Sequence, residues 1–249
     1  MLAINHLVKF FNQNTPNEVL ALDDCSLNIG NAEFVVVIGS NGSGKSTLLN
    51  LIAGTFLPDS GTIIIDGTDV TRKKDFQRSK WVARVFQDPM AGTAPDLTIL
   101  DNFRLAQLRT QPKTFKTGIN AAFKDKVKER LTILGLGLEN KTDTLVGKLS
   151  GGQRQALTLL MSVMDDAKIL LLDEPTAALD PRSSDIIMQL SQKVISSMNL
   201  TALLVTHNMS QATQYGTRLI MMRNGVVERD IPTQEKSKLK TLELQEWFL

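Results

Sequence analysis

Cysteine is almost absent: Cys25 is the single one in 249 residues. That excludes an internal disulfide framework and a zinc site built on cysteines, and it suits a reducing compartment. No apolar run approaches the roughly 20 residues that a membrane-spanning helix requires. The opening residues, Met1-Leu2-Ala3-Ile4-Asn5-His6, lack the basic stretch and apolar run of a secretory signal, so none is expected. Charge of one sign is lacking as well, since 28 Lys+Arg face 26 Asp+Glu for a net +2. A binder of nucleic acid held mainly by a basic field is therefore not expected. Internal repeats and low-complexity tracts are missing. What remains is a chain with 42% hydrophobic residues and 16 glycines, long enough to bury a large core without covalent staples.

Short apolar runs recur, each ending in a polar or glycine turn. Phe34-Val35-Val36-Val37-Ile38, Ile169-Leu170-Leu171-Leu172 and Ala202-Leu203-Leu204-Val205 are continuous rather than alternating, as strands covered on both faces should be. Helical patterns at residues 45–53 and 153–164 separate them, so a mainly parallel α/β sheet is expected. Two hairpins are also expected, where Thr62-Ile63-Ile64-Ile65 meets Asp66-Gly67 and where Leu219-Ile220-Met221-Met222 meets Asn224-Gly225. From residue 89 to about 140 strand signals vanish and Lys/Arg-rich helical patterns take over, which reads as a helical insert. In the tail, Leu239, Leu242, Trp247 and Phe248 read as the docking face of a terminal helix.

Gly39-Ser40-Asn41-Gly42-Ser43-Gly44-Lys45-Ser46 fits the phosphate-loop pattern G-x-x-x-x-G-K-[ST] in full, with a buried strand before it and an apolar helix after it. Glycines let the backbone curl until successive N–H groups face phosphate oxygens, and the helix start adds partial positive charge. Lys45 supplies a point charge to the outer phosphates, the Ser46 hydroxyl is a Mg²⁺ ligand, and Thr47 is grouped with the nucleotide contacts. Asp173 and Glu174 close the next core strand, at the sheet edge where such folds bind ligands. Asp173 is the candidate metal holder. Glu174 is the candidate base for an attacking water.

Leu149-Ser150-Gly151-Gly152-Gln153 is a second glycine-rich turn feeding a helix, hence a second preformed anion site. Ser150 could equally be a plain N-cap, but a cap alone does not require the whole block. That block is the full signature of the ATP-binding-cassette (ABC) ATPases. Together with the phosphate loop and the Asp-Glu pair, it makes the chain resemble that family over nearly its whole length. The resemblance implies a phosphate-loop NTPase with a RecA-type core, an N-terminal antiparallel β subdomain and an inserted helical subdomain. On that pattern residues 1–88 carry the β subdomain and first part of the core, 89–164 the helical subdomain with the signature, and 165–249 the rest of the core with a C-terminal helix. Two copies would meet head to tail with ATP and Mg²⁺ between them, so that Ser150, Gly151, Gly152 and Gln153 act on the other copy's nucleotide.

The resemblance extends to single positions. Gln87, in Val85-Phe86-Gln87-Asp88, resembles the glutamine that touches Mg²⁺ or water and links core to insert. Asp180 resembles the aspartate that meets the partner's phosphate loop, although before Pro181 it also suits an N-cap. His207, in Val205-Thr206-His207-Asn208, resembles the switch histidine that reaches the γ-phosphate. Phe11 stands where the family stacks an aromatic ring on adenine, with Phe10 adjacent. His6 has no such context.

Rival readings fare worse. Asn140-Lys141-Thr142-Asp143 matches the guanine-reading N-K-x-D of GTPases, but it follows no core strand and no D-x-x-G accompanies it. Residues 46–149 show no sustained heptads of the kind that repair and chromosome ATPases carry. One cassette is present, where translation-linked members usually carry two. Lys113, Lys116, Lys124, Lys126, Lys128 and Arg130 interleave with Asp125 and Glu129, as a solvated helix face does. The expected function is thus the ATP-hydrolysing subunit of an ABC transporter, on the cytoplasmic face of the membrane, with separate permease subunits and, indirectly, a solute-binding protein. No nucleic-acid partner is expected. The alternatives are an exporter subunit or a soluble ABC ATPase acting on nucleic acid or ribosomes. Runs such as Arg84-Val85-Phe86-Gln87-Asp88-Pro89-Met90 and Val205-Thr206-His207-Asn208-Met209 are similar to ATPases of bacterial amino-acid-type (tryptophan- or tyrosine-like) importers.

Overall fold

The computed structural model describes residues 1–109, 118–164 and 167–248. In chain order its strands and α-helices are β1 (Leu2–Phe11), β2 (Val19–Ile29), β3 (Phe34–Ile38), α1 (Lys45–Ala53), β4 (Ser60–Ile65), β5 (Thr68–Asp69), α2 (Asp75–Arg78), β6 (Val82–Val85), α3 (Ile99–Gln107), α4 (Ala121–Thr132), α5 (Gly151–Ser162), β7 (Ile169–Asp173), α6 (Pro181–Ser197), β8 (Thr201–Val205), α7 (Met209–Gln214), β9 (Arg218–Arg223), β10 (Val226–Ile231), α8 (Thr233–Lys236) and α9 (Thr241–Glu246). Six strands form one sheet in the order β10-β9-β3-β8-β7-β6, and four form another in the order β2-β1-β4-β5. Every pair in the larger sheet is parallel except β9 with β10. The smaller sheet is antiparallel throughout.

Continuous apolar strands arise because the larger sheet is the middle layer. Phe34, Val36 and Ile38 face one buried cluster, with residues of α3 to α7 and α9. Val35 and Val37 face the other, with α1 and the antiparallel sheet. None of the five is more than 2% exposed, and each contributes about 1.5–3 kcal/mol by leaving water. Both expected hairpins form. Ile65 pairs with Thr68 across Asp66 (φ 50°) and Gly67 (φ 74°), and Arg223 pairs with Val226 across Asn224 (φ 49°) and Gly225 (φ 81°). Two successive residues at positive φ make the mirror-image turn that matches strand twist.

Two local expectations are corrected, and one is borne out. The helix expected over residues 153–164 is α5, which begins at Gly151 and ends at Ser162, so both signature glycines belong to its first turn. Leu242 does not dock: it is 72% exposed, whereas Leu244 is fully buried. The helix face is set by where α9 meets α7, which the apolar pattern alone does not show. Asn140-Lys141-Thr142-Asp143 follows a short 3₁₀ turn, Leu138–Asn140, and no core strand. On α4, Phe123, Val127 and Leu131 turn inward, while Lys124, Lys126 and Lys128 stay in solvent. Lys113 and Lys116 lie outside the described residues.

Candidate functional site

In a parallel sheet all strands point their C-terminal ends to one edge. Here that edge presents, side by side, the loop after β3, the Thr206-His207 turn after β8, Asp173-Glu174 at the end of β7, and Gln87 beyond β6. Residues from four distant parts of the sequence thus meet along one line.

The loop of residues 39–46 is shaped by close approaches. A methyl group on Gly44 (φ 99°) would lie 2.6 Å from the Ala21 carbonyl oxygen, and one on Gly39 would lie 2.4 Å from that of Met222. Only glycine permits this packing against β2 and β9. Lys45 is 7% exposed. Its ammonium donates to the Gly39 carbonyl (2.9 Å), the Ser40 carbonyl (2.7 Å) and Ser43 Oγ (3.3 Å). Burial lowers its pKa, and the negative charges of Glu174 and Asp173 oppose the shift. The charge therefore sits fixed inside the loop. Ser46 is exposed and Thr47 half-buried in the first turn of α1, while Asn41 and Gly42 are exposed at the loop tip.

Glu174 has φ 46°, a left-handed conformation uncommon for a non-glycine residue. Its N–H donates to the Val205 carbonyl (3.0 Å), and its Oε2 lies 3.0 Å from His207 Nδ1. Such local strain is found where surrounding structure imposes it, often at functional positions. Behind the pair, Thr206 Oγ1 donates to Gln211 Oε1 (3.0 Å), and Gln211 Nε2 donates to Thr176 Oγ1 (3.0 Å) and Ser184 Oγ (3.1 Å). Thr206, Thr176 and Gln211 are buried, so this network fixes the His207 turn to α6. A cleft of about 270 Å³ opens beside Glu174, Leu179, His207 and Gln211.

The signature is used structurally to a greater extent than its pattern suggested. Ser150 Oγ accepts the Gln153 N–H (3.2 Å) and Gln153 Oε1 accepts the Ser150 N–H (3.1 Å), a reciprocal capping box. Gly152 lets α5 approach α6 closely, since a methyl there would lie 3.1 Å from Ser183. Gly151 faces Leu179 in the same way. Asp180 caps α6 through the Ser183 N–H (3.0 Å), and hydrogen bonding from the Ser183 hydroxyl first, and from its N–H second, holds the Asp180 carboxyl below the usual range. Both caps leave further helix N–H groups unpaired by side chains.

Phe11 is half-buried and meets Phe56 edge to face, centroids 5.3 Å apart, with Lys9 Nζ 5.7 Å from its own centroid. Gln87 is exposed. Three further polar residues at this edge escaped the pattern reading. Gln155, fully buried, donates from Nε2 to the carbonyls of Phe86 (3.0 Å) and Pro175 (2.8 Å), and so ties the signature helix to the neighbours of both Gln87 and Glu174. Arg84 holds Asp173, and Gln211 holds the His207 turn. A charge inside the apolar run of β6 was the one visible signal. The two glutamines looked like ordinary helix residues.

A phosphate loop after the central strand, with an acid pair two strands away and a histidine between them, defines a nucleoside-triphosphate hydrolase of the α/β class. The ABC transporter family profile matches residues 22–177. The tyrosine transport ATP-binding protein of Clostridioides difficile (strain R20291) is 42% identical over 250 aligned residues, covering 100% of this chain and 98% of the relative. The energy-coupling factor transporter ATP-binding protein EcfA2 of Clostridium tetani is 35% identical, over 97% of this chain and 83% of the relative. Among solved structures, the dimeric post-hydrolysis state of the cassette MJ0796 bound to ADP and Pi aligns with a TM-score of 0.78 at 30% identity, over 94% of this chain and 99% of that one. The ADP conformation of the cassette MJ1267 aligns with a TM-score of 0.81 at 25% identity, over 99% and 98%. The chain belongs to the ABC transporter family and is an ATPase of its cassette type.

Proposed function

We propose that this chain is the subunit that binds and hydrolyses ATP to energise a membrane ABC importer of an amino-acid-like solute. The solute class is supported by the full-length likeness to a tyrosine transport ATP-binding protein, and import by the likeness to import subunits such as the sulfate/thiosulfate import ATP-binding protein CysA of Pseudomonas aeruginosa. No helix among the described residues is long and apolar enough to cross a membrane. Separate permease chains, a solute-binding protein and a peripheral position on the cytoplasmic face follow from the reading. The division into residues 1–88, 89–164 and 165–249 belongs to it as well.

The observation that carries the hydrolytic role is the Glu174–His207 contact of 3.0 Å at the ends of β7 and β8, on the same sheet edge as the phosphate loop. In this reading the loop N–H groups of residues 39–46, Lys45 and Thr47 hold the phosphates, and Phe11 stacks on adenine. Ser46, Asp173 and Gln87 offer a hydroxyl, a carboxylate and an amide oxygen, a hard-oxygen set suited to Mg²⁺. No cluster of three or more His, Cys, Asp or Glu that could hold a metal exists among the described residues. When bound, Mg²⁺ neutralises charge on the β- and γ-phosphates. Glu174 accepts the proton of the attacking water, and the His207 imidazole orients the Glu174 carboxylate and reaches the γ-phosphate. Ser150, Gly151, Gly152 and Gln153 of a second copy cover that phosphate, with Asp180 at the shared boundary. This head-to-tail dimer takes support from the MJ0796 dimer. The permease would seat in the groove around Gln87, Asp88, Pro89 and residues 98–103.

Glu174→Gln tests the reading. The variant should bind ATP, lose about 10²–10⁴-fold of the hydrolysis rate, and elute as a dimer with ATP and Mg²⁺ in size-exclusion chromatography. A variant that hydrolyses at the unsubstituted rate removes Glu174 as the base, and one that stays monomeric removes the sandwich.

A further inference from the structure

Arg84 is a guanidinium inside a buried strand. Its neighbours Val82, Ala83 and Val85 are at most 7% exposed, and its own side chain is 14% exposed. Burying a guanidinium is far less favourable than burying the aliphatic residue that β6 otherwise calls for, so partners must compensate. They are specific. Arg84 Nη2 donates to Asp173 Oδ2 (2.6 Å), Nη1 donates to Asn50 Oδ1 (2.7 Å), and the guanidinium lies 4.8 Å from the Phe86 ring centroid. The fork thus binds the carboxylate at the end of β7 to α1, the helix that starts at Lys45. Its Nε is buried without a partner among the described residues, and the residue also lines an open groove of about 390 Å³ with Phe86, Asn102, Ala106 and Thr158. The arginine is therefore anchored at two prongs, with free space beside it.

We propose that Arg84 is a positioning residue for Asp173 and its resident counter-cation, which a divalent metal approaching that carboxylate must outcompete. The proposal rests on the reading of Asp173 as a metal holder. The physical argument is one of charge. Arg84 pairs with Asp173, and Lys45 lies in the field of Glu174 and Asp173; two positive groups against two negative leave the protein side of the site with little net attraction for a free dication. The phosphates of the nucleotide must bring the missing negative charge, so metal enters with nucleotide and only weakly before it. As metal takes Asp173, the groove gives the guanidinium room to withdraw.

The test uses the full chain in molar excess over ADP, so that the nucleotide is protein-bound, and Mn²⁺ titrated into that complex, followed by loss of the free-ion electron paramagnetic resonance signal. Arg84→Met keeps the apolar body over Phe86 and removes the charge. It should lower the half-saturating Mn²⁺ concentration by about tenfold, the effect of one part-buried charge, with ADP affinity in EDTA unchanged. Arg84→Lys keeps the charge but loses the two-pronged fork, so its half-saturating Mn²⁺ concentration should fall between those of the unsubstituted chain and the Met variant. If the Met variant does not fold, Arg84→Gln, also neutral, carries the same expectation. An unchanged or raised half-saturation in a folded neutral variant overturns the proposal and leaves Arg84 as a packing residue. Asp173→Asn separates the two readings: if it leaves Mn²⁺ binding intact, the metal assignment of Asp173 has failed as well.

Discussion

His207 Nδ1 lies 3.0 Å from Glu174 Oε2, although the two residues are 33 positions apart and leave the ends of different strands. Their backbones are tied just behind the contact, where the Glu174 N–H meets the Val205 carbonyl. With Glu174 in the left-handed region, its carboxylate turns toward the β8 end of the sheet edge. In the proposed reading a base and the group that orients it thus share one rigid frame, which is what proton abstraction from a positioned water requires.

Lys45→Ala should weaken ATP binding by about 100-fold or more, the worth of one or two charge-assisted hydrogen bonds. The loop also loses the cation that bridges the Gly39 and Ser40 carbonyls. Isothermal titration with ATP checks this, and unchanged affinity removes the phosphate-loop assignment.

Gln155→Leu strands the carbonyls of Phe86 and Pro175 in a buried setting. Stability should fall by about 1–3 kcal/mol. Because those carbonyls adjoin Gln87 and Glu174, turnover should fall by about tenfold or more while ATP affinity holds. Thermal melting paired with steady-state kinetics separates the two effects. A melting shift at unchanged kcat would make Gln155 a purely structural residue.

Leu244→Ala should destabilise the fold by about 2–4 kcal/mol, because its side chain is fully buried where α9 docks. Leu242→Ala, two residues away and 72% exposed, should stay within about 0.5 kcal/mol of the unsubstituted chain. Urea denaturation of both variants compares them. The reverse ranking would put the docking face where the apolar pattern alone first placed it.

Lys236 is 4% exposed and donates to the carbonyls of Tyr215 and Gly216. Burial pushes its pKa down from 10.5 to about 8. Above about pH 8 the folded chain gives up this proton while the unfolded chain keeps it until about pH 10.5, so the unfolded state binds more protons in that window. Stability should therefore gain a rising contribution from about pH 8 to pH 10.5, and none from this group at lower pH. Urea midpoints at pH 7.5 and about 9.5, compared with those of Lys236→Met, isolate it. An identical pH trend in the variant would assign the effect to other groups.

The sequence by itself determined whatever is decided within a few residues. The phosphate loop, the Asp-Gly and Asn-Gly hairpins, the Asp180 cap and the doubly buried strands all follow from local sterics, hydrogen bonding and hydrophobic periodicity. Ser150 shows the limit of such reading, because one short block serves as helix cap, as close-packing surface against α6 and, in the proposed reading, as a phosphate cover. Only the tertiary structure decided which strands are neighbours. With β8 between β3 and β7, His207 stands beside Glu174; Arg84 reaches Asp173 across 89 positions, and Gln155 reaches Phe86 across 69. Contacts of that span depend on how whole layers pack. A single arginine or glutamine in the sequence carries no mark of the distant carboxylate or carbonyl that it will meet.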